Sequence, residues 1–228
     1  MKYPIILFDL DSTLLDTEKN AEKALHEMSI ASSFAFDDSQ IAYWHVLNNN
    51  LWQQFEDKQI TRQELLDQRF ARYFEHFGID VDTSDFQDEY IQLFANEHEL
   101  IPHAKELLAD LDSDHRMFVI SNGTKFKQHA QISGAGIGDY FEKVILSEDI
   151  GFQKPDIRFF EEMEKQIPNA NRSDMLIVGD SLTADIAGAV EANIDSVWFN
   201  PQNSQNKTNF EPTYEVDNLL KIESILNK

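Results

Sequence analysis

The sequence predicts an α/β protein in which a doubly wound parallel sheet is interrupted by an all-helical insert. Three observations carry this. Short apolar runs of strand length recur at 5–8, 117–120, 175–178 and 196–199, with helical patterns between them. The first three leave the strand through polar residues rather than through a hairpin signal: Asp9 and Asp11, then Ser121 and Asn122, then Gly179 and Asp180. Between 17 and 98 the chain has one glycine, Gly78, and no proline, while apolar residues return at helical spacing.

Taken in order, Ile5, Ile6, Leu7 and Phe8 read as a strand covered on both faces. Positions two apart in a strand point to one side, so Asp9 and Asp11 face a common pocket. Two carboxylates that close repel and desolvate each other unless a cation or a shared proton intervenes. This predicts a metal site, an acid/base pair, or both; an inert Asp/Ser/Thr turn fits the same segment taken alone. The insert should form helices over 18–29, 39–56 and 62–77, the last opened by the capping pair Thr61 and Glu64, with a fourth started by Thr83 or Ser84. Its dense aromatics should be mostly bundle core.

Pro102 should open a helix ending near Leu111. The strand 117–120 follows and exits at Ser121, Asn122 and Gly123, and the helix 125–132 is ended by Gly134, Gly136 and Gly138. Lys154 stands 33 residues after Ser121, room for a helix and a strand but no second insert. The strand 175–178 ends at Gly179 and Asp180, and Asp185 falls in the first turn of a helix over 182–193. The strand 196–199, with Asn200 and Pro201 after it, should end the sheet, and a helix over 217–226 should close the chain. Ligands of open α/β sheets bind beyond the carboxyl ends of the strands. A hydroxyl, an amide, a lysine and four carboxylates can therefore converge on one point.

Composition narrows the class. No run approaches the roughly 20 apolar residues needed to cross a bilayer, and no basic signal segment precedes the first strand, so a cytoplasmic protein without a membrane partner is expected. The absence of cysteine excludes disulfides and thiol chemistry. A net charge of −22 argues against a nucleic acid polymer, which needs a basic footprint. A small phosphorylated metabolite needs only a local cation. The seven histidines show no paired ligand spacing, and Asn206, Lys207 and Thr208 read as a plain loop. The sequence carries no signature of a particular oligomeric state.

At these residues the chain resembles the haloacid dehalogenase (HAD) superfamily, matching its four motifs in order: Asp9, Asp11 and Thr13; Ser121; Lys154; Asp180 with Asp185. Ser12 departs from the glycine many members carry there. The resemblance implies a Rossmann-like core in residues 1–16 and 100–228 and a helical cap domain in 17–99 that closes over the site. It implies that Asp9 attacks phosphorus and that Asp11 is general acid and then general base. Magnesium (Mg2+), replaceable by manganese or cobalt, would be held by the Asp9 carboxylate, the Asp11 main-chain carbonyl and Asp180, with Asp185 in support. Ser121, Asn122 and Lys154 would hold the phosphoryl group, with Thr13 beside them. The insert residues Asn48, Leu51, Trp52, Ile60, Thr61, Arg69 and Phe70, together with a non-glycine at 12, look like the bacterial pyrimidine 5′-nucleotidases, a house-cleaning branch acting on nucleoside monophosphates. Helix packing accounts for most of these; Asn48 and Arg69 either pair within the bundle or meet substrate, and Trp52 is the third candidate for substrate contact. A phosphatase for a sugar phosphate or phosphoglycolate shares the core motifs. A catalytically silent binding protein should have lost one of the acids, and carbon–halogen hydrolysis has no use for Asp11.

Overall fold

The structure, a computed structural model, describes residues 2–226. The chain divides into two compact units, one joining Met1–Thr17 to His98–Lys228 and the other formed by Glu18–Glu97. The first is built on six parallel strands in the order β3-β2-β1-β4-β5-β6.

The chain begins with β1 (Ile5–Phe8), whose four residues are all buried. Its side chains alternate between two cores. Ile6 and Phe8 join Leu107, Leu108, Val178 and Ile222 on one face, while Ile5 and Leu7 join Phe118, Phe159, Phe160 and Met163 on the other. A strand sandwiched this way must be apolar throughout, which is why β1 reads as a continuous run rather than as alternation.

Four helices follow: α1 (Thr17–Glu27), α2 (Asp38–Glu56), α3 (Arg62–His76) and α4 (Phe86–Asn96). Capping boxes open two of them, Asp37 with Gln40 on α2 and Thr61 with Glu64 on α3. The expected fourth start at Thr83 or Ser84 moves to Phe86, because Asp82 instead accepts the Ser84 backbone N–H and holds that segment as a turn. Trp44, Phe70, Tyr73, Phe74 and Tyr90 fill the centre of this unit. Burying one such ring contributes about 1.5–3 kcal/mol.

The α/β unit resumes with α5 (Ala104–Leu111), β2 (Arg116–Ser121), α6 (Lys125–Ala135), β3 (Lys143–Leu146), α7 (Ser147–Ile150), α8 (Ile157–Glu164), β4 (Met175–Gly179), α9 (Ala187–Ala192), β5 (Asp195–Phe199), β6 (Tyr214–Val216) and α10 (Lys221–Leu226). Three expectations need correction. The sheet does not end after 196–199: β6 pairs with β5 as an edge strand, too short and too polar to register as an apolar run. Gly134 lies inside α6, where an added Cβ would fall 2.1 Å from the His98 ring, and Gly136 at φ +61° ends that helix. The helix expected over 182–193 begins as a wide π-helical turn, Leu182–Ile186, capped by the Ser181 hydroxyl, before α9.

Candidate active site

Strand β1 lies between β2 and β4, so the chain's path through the sheet reverses beside it. That is where an open α/β sheet leaves a crevice at its carboxyl edge. Asp9 follows β1 and its N–H donates to the Val178 carbonyl of β4, extending the pairing by one residue and aiming a buried carboxylate into that crevice.

Lys154 occupies the centre. Its buried ammonium donates to Asp9 Oδ1 at 2.7 Å, Asp185 Oδ1 at 2.6 Å and the Ile120 carbonyl at 2.8 Å, which uses all three of its protons. Asn122 fixes the backbone beneath it: the side-chain amide donates to the Lys154 carbonyl and accepts from the Lys154 N–H, both at 2.9 Å. The Asn122 side chain thus holds Lys154 in place. Asp185 reaches the centre because Gly179 has no side chain; an added Cβ there would stand 2.3 Å from the Asp185 carboxylate. Close approach is what this glycine provides.

Asp9, Asp180 and Asp185 each bring a carboxylate oxygen within 4.8 Å of the others. Asp180 is only half-buried, so the cluster has an open side. The donors are all oxygen, the set that suits a hard divalent cation such as magnesium, with manganese and cobalt acceptable on the same ligands. The electrostatics fit as well. Burial pushes the Asp9 carboxyl up to about 7 from an ordinary 3.8; Lys154 opposes this, and Asp185 and Asp11 add to it. Burial alone would lower the Lys154 ammonium, but Asp185 and Asp9 hold it above the ordinary lysine range. Thr13 is fully buried and its hydroxyl donates to Asp180 at 3.3 Å, so it supports an acid instead of facing open space.

Asp11 belongs to a second network. Lys127 Nζ lies 2.5 Å from its Oδ1 and Gln128 Nε2 lies 2.6 Å from its Oδ2, while the Thr17 hydroxyl donates to Oδ1 at 3.3 Å. Burial raises this carboxyl, but Lys127, Gln128 and Thr17 together bring it below the ordinary range. The turn that aims Asp11 places Ser12 at φ +59°, a left-handed backbone that favours glycine; here the Ser12 N–H donates to the Leu15 carbonyl and Thr17 Oγ1. Ser121 Oγ accepts from the Gly123 N–H and from Gln128, which joins the first and second strand exits.

Asp9, Asp11, Ser121, Asn122, Lys154, Asp180 and Asp185 therefore come together at one edge of the α/β unit. Asn48, Trp52 and Arg69 lie in the helical unit. Arg69 is buried, donating to Gln87 at 2.7 Å and to Asn48 at 3.2 Å, with its guanidinium 4.7 Å from the Tyr90 ring centre. Trp52 packs edge-on against Phe55. Sequence reasoning missed Lys127 and Gln128. Their signal was polar side chains at 127, 128 and 131, beside the apolar Ile132, on the face that α6 turns inward.

Comparison with known proteins agrees with this fold. Residues 6–199 match the profile of the haloacid dehalogenase-like hydrolases. The chain is 36% identical to the pyrimidine 5′-nucleotidase PynA of Streptococcus pneumoniae, over 100% of this chain and 97% of that one. It is 28% identical to the pyrimidine 5′-nucleotidase YjjG of Escherichia coli over the full length of both. The magnesium-bound crystal structure of YfnB from Bacillus subtilis superimposes with a TM-score of 0.93 at 31% identity, covering 100% of both chains.

Proposed function

The chain belongs to the haloacid dehalogenase-like hydrolase family, and we propose that it is a magnesium-dependent phosphomonoester hydrolase acting on nucleoside 5′-monophosphates through an aspartyl phosphate. The observation that carries the chemistry is the cluster of Asp9, Asp180 and Asp185 around Lys154, with a second acid, Asp11, two residues from the first. The observation that narrows the substrate is similarity to two pyrimidine 5′-nucleotidases along the whole chain, helical unit included.

Asp9 attacks phosphorus in line and the ester oxygen leaves. With the phosphate dianion beside it to raise its proton affinity, Asp11 gives that oxygen its proton, then takes one from the water that opens the aspartyl phosphate. Ser121 and the Asn122 main-chain amide hold the phosphoryl oxygens, and the Lys154 ammonium, whose hydrogens go to Asp9, Asp185 and the Ile120 carbonyl, offsets by its charge the negative charge that builds up on them. Asp9, Asp180 and Asp185, with the Asp11 carbonyl, would hold magnesium, which supplies positive charge to the phosphoryl group. These residues address only what all phosphomonoesters share. Choice among substrates is assigned to residues 18–97, with Asn48 and Trp52 as the positions that set it and the buried Arg69 acting through its hydrogen bond to Asn48. A cytoplasmic setting, where nucleoside monophosphates are held, goes with this reading.

The test is a panel of phosphomonoesters with magnesium: UMP, dUMP, dTMP, purine nucleotides and sugar phosphates. Highest kcat/KM on pyrimidine nucleotides supports the reading. A preference for sugar phosphates would move it to a general small-ester phosphatase, and hydrolysis of none would overturn it.

A further inference from the structure

The Asp11 carboxylate is held mainly from α6, with the Thr17 hydroxyl adding a longer contact of 3.3 Å to Oδ1. Lys127 and Gln128, adjacent in the first turn of α6, each take one of its oxygens, yet its side chain keeps 28% exposure, leaving lone pairs open. Gln128 is the more informative of the two. It is fully buried, and its amide nitrogen spends one hydrogen on Asp11 and the other on Ser121 Oγ at 2.7 Å. Its amide oxygen has no hydrogen-bond partner. Buried amides are ordinarily satisfied at both ends. A glutamine placed only to fill space would be replaced at less cost by an apolar residue of its size, so the two donated hydrogens are what the position supplies. The approach is tight: an added Cβ on Gly123 would stand 1.9 Å from Gln128 Nε2, so the residue after Asn122 must be glycine for the bridge to form.

We propose that Lys127 and Gln128 are positioning residues that hold the Asp11 carboxylate by both oxygens and tie it through Gln128 to Ser121, so that the proton-transfer group and the phosphoryl-binding hydroxyl are aligned as one unit. This rests on the phosphatase reading above. It explains why two long polar side chains are buried next to each other on an inward helix face. Because they act through Asp11, their loss falls on proton transfer to the leaving group, leaving substrate affinity nearly unchanged.

The experiment compares wild type, Lys127→Met, Lys127→Arg, Gln128→Leu, Asp11→Asn and the double variant Asp11→Asn/Lys127→Met. Each is assayed on UMP, a poor leaving group, and on p-nitrophenyl phosphate, with rapid-mixing release of nitrophenolate reporting the first step alone. Lys127→Met and Gln128→Leu should lower kcat on UMP roughly 10- to 100-fold with KM nearly constant, while the nitrophenolate burst slows far less. Lys127→Arg, which keeps the charge and the donors, should recover most of the rate. In the Asp11→Asn background, Lys127→Met should cost nothing further. Equal losses on both esters, losses confined to KM, or full additivity with Asp11→Asn would overturn the proposal. If Lys127→Met fails to fold by circular dichroism, Lys127→Arg and Gln128→Leu decide the same question. A wild type that hydrolyses neither ester would defeat the phosphatase reading itself; an active wild type with an unselective Lys127→Met would defeat only this inference.

Discussion

Both units bury cations, and Lys154 and Arg69 are accommodated in opposite ways. Lys154 in the α/β unit is surrounded by carboxylates, donating to Asp9 and Asp185 with Asp180 close by. Arg69 in the helical unit makes its hydrogen bonds to neutral amide oxygens, those of Gln87 and Asn48, and lies against the rings of Tyr90, Trp44 and Phe70. The ionisation follows the partners. Burial lowers the Arg69 guanidinium to about 10, leaving it charged at neutral pH, whereas the carboxylates hold Lys154 above its ordinary range. A cation among rings and amides is a stable packing element. A cation among three acids is part of an electrostatic balance that a divalent ion or an incoming phosphoryl group can reset. Changes in the first network should therefore act on chemistry, and changes in the second on stability and substrate choice.

The largest effect should come from the nucleophile. Asp9→Asn should abolish turnover, with a loss of about 1,000-fold or more, while the folded state persists by circular dichroism and melting. Lys154→Met should slow every substrate alike. It also leaves Asp9 and Asp185 buried without their cation, which should cost about 3–5 kcal/mol of stability in metal-free protein. Uniform rate loss without destabilisation would mean that the pairing with the acids is weaker than the geometry indicates.

Removing the metal is the next test. EDTA should stop hydrolysis, and magnesium, manganese or cobalt should restore it; Asp180→Ala should raise the magnesium requirement steeply. Full activity after exhaustive chelation would contradict the cluster's assignment. Stability should respond to pH as well. In metal-stripped protein the Asp9 carboxyl, raised to about 7, holds a proton that the unfolded chain has already released above 3.8. The native state then binds more protons than the unfolded one, so Asp9's contribution to stability is present at low pH and is lost as pH rises through that window. Magnesium should raise Tm more at about pH 8 than at about pH 5. A larger lift at the acidic end would reverse the sign and contradict the assignment.

In the helical unit the effects should be smaller and selective. Arg69→Met leaves two amide oxygens without their donor and should cost about 2–3 kcal/mol. Asn48→Ala and Trp52→Ala should change the ranking among UMP, a purine nucleotide and a sugar phosphate, measured as kcat/KM. Equal losses on all three would make these positions purely structural.

Much of the α/β unit was legible in the sequence because its strands are buried on both faces and its acids stand directly at their exits. Asp9 and Asp180 could be placed from a strand end, and Asp185 from the first turn of the helix that follows. Strand β6 was not legible: Tyr214–Val216 pairs on one side only and carries a glutamate. Lys127 and Gln128 escaped because their role depends on a residue more than a hundred positions away, and local periodicity records only that α6 has an inward face. The partners of Arg69 were hidden for the same reason, since Asn48 and Gln87 come from different helices.

The most direct test of the account is to trap the covalent intermediate. The enzyme is mixed with UMP and magnesium, quenched in acid within a single turnover, digested, and its peptides weighed. The account predicts one phosphoryl group on the amino-terminal peptide, assigned by fragmentation to Asp9 and absent from Asp9→Asn. A phosphoryl group on another residue, or turnover by Asp9→Asn at a rate near wild type, would contradict it.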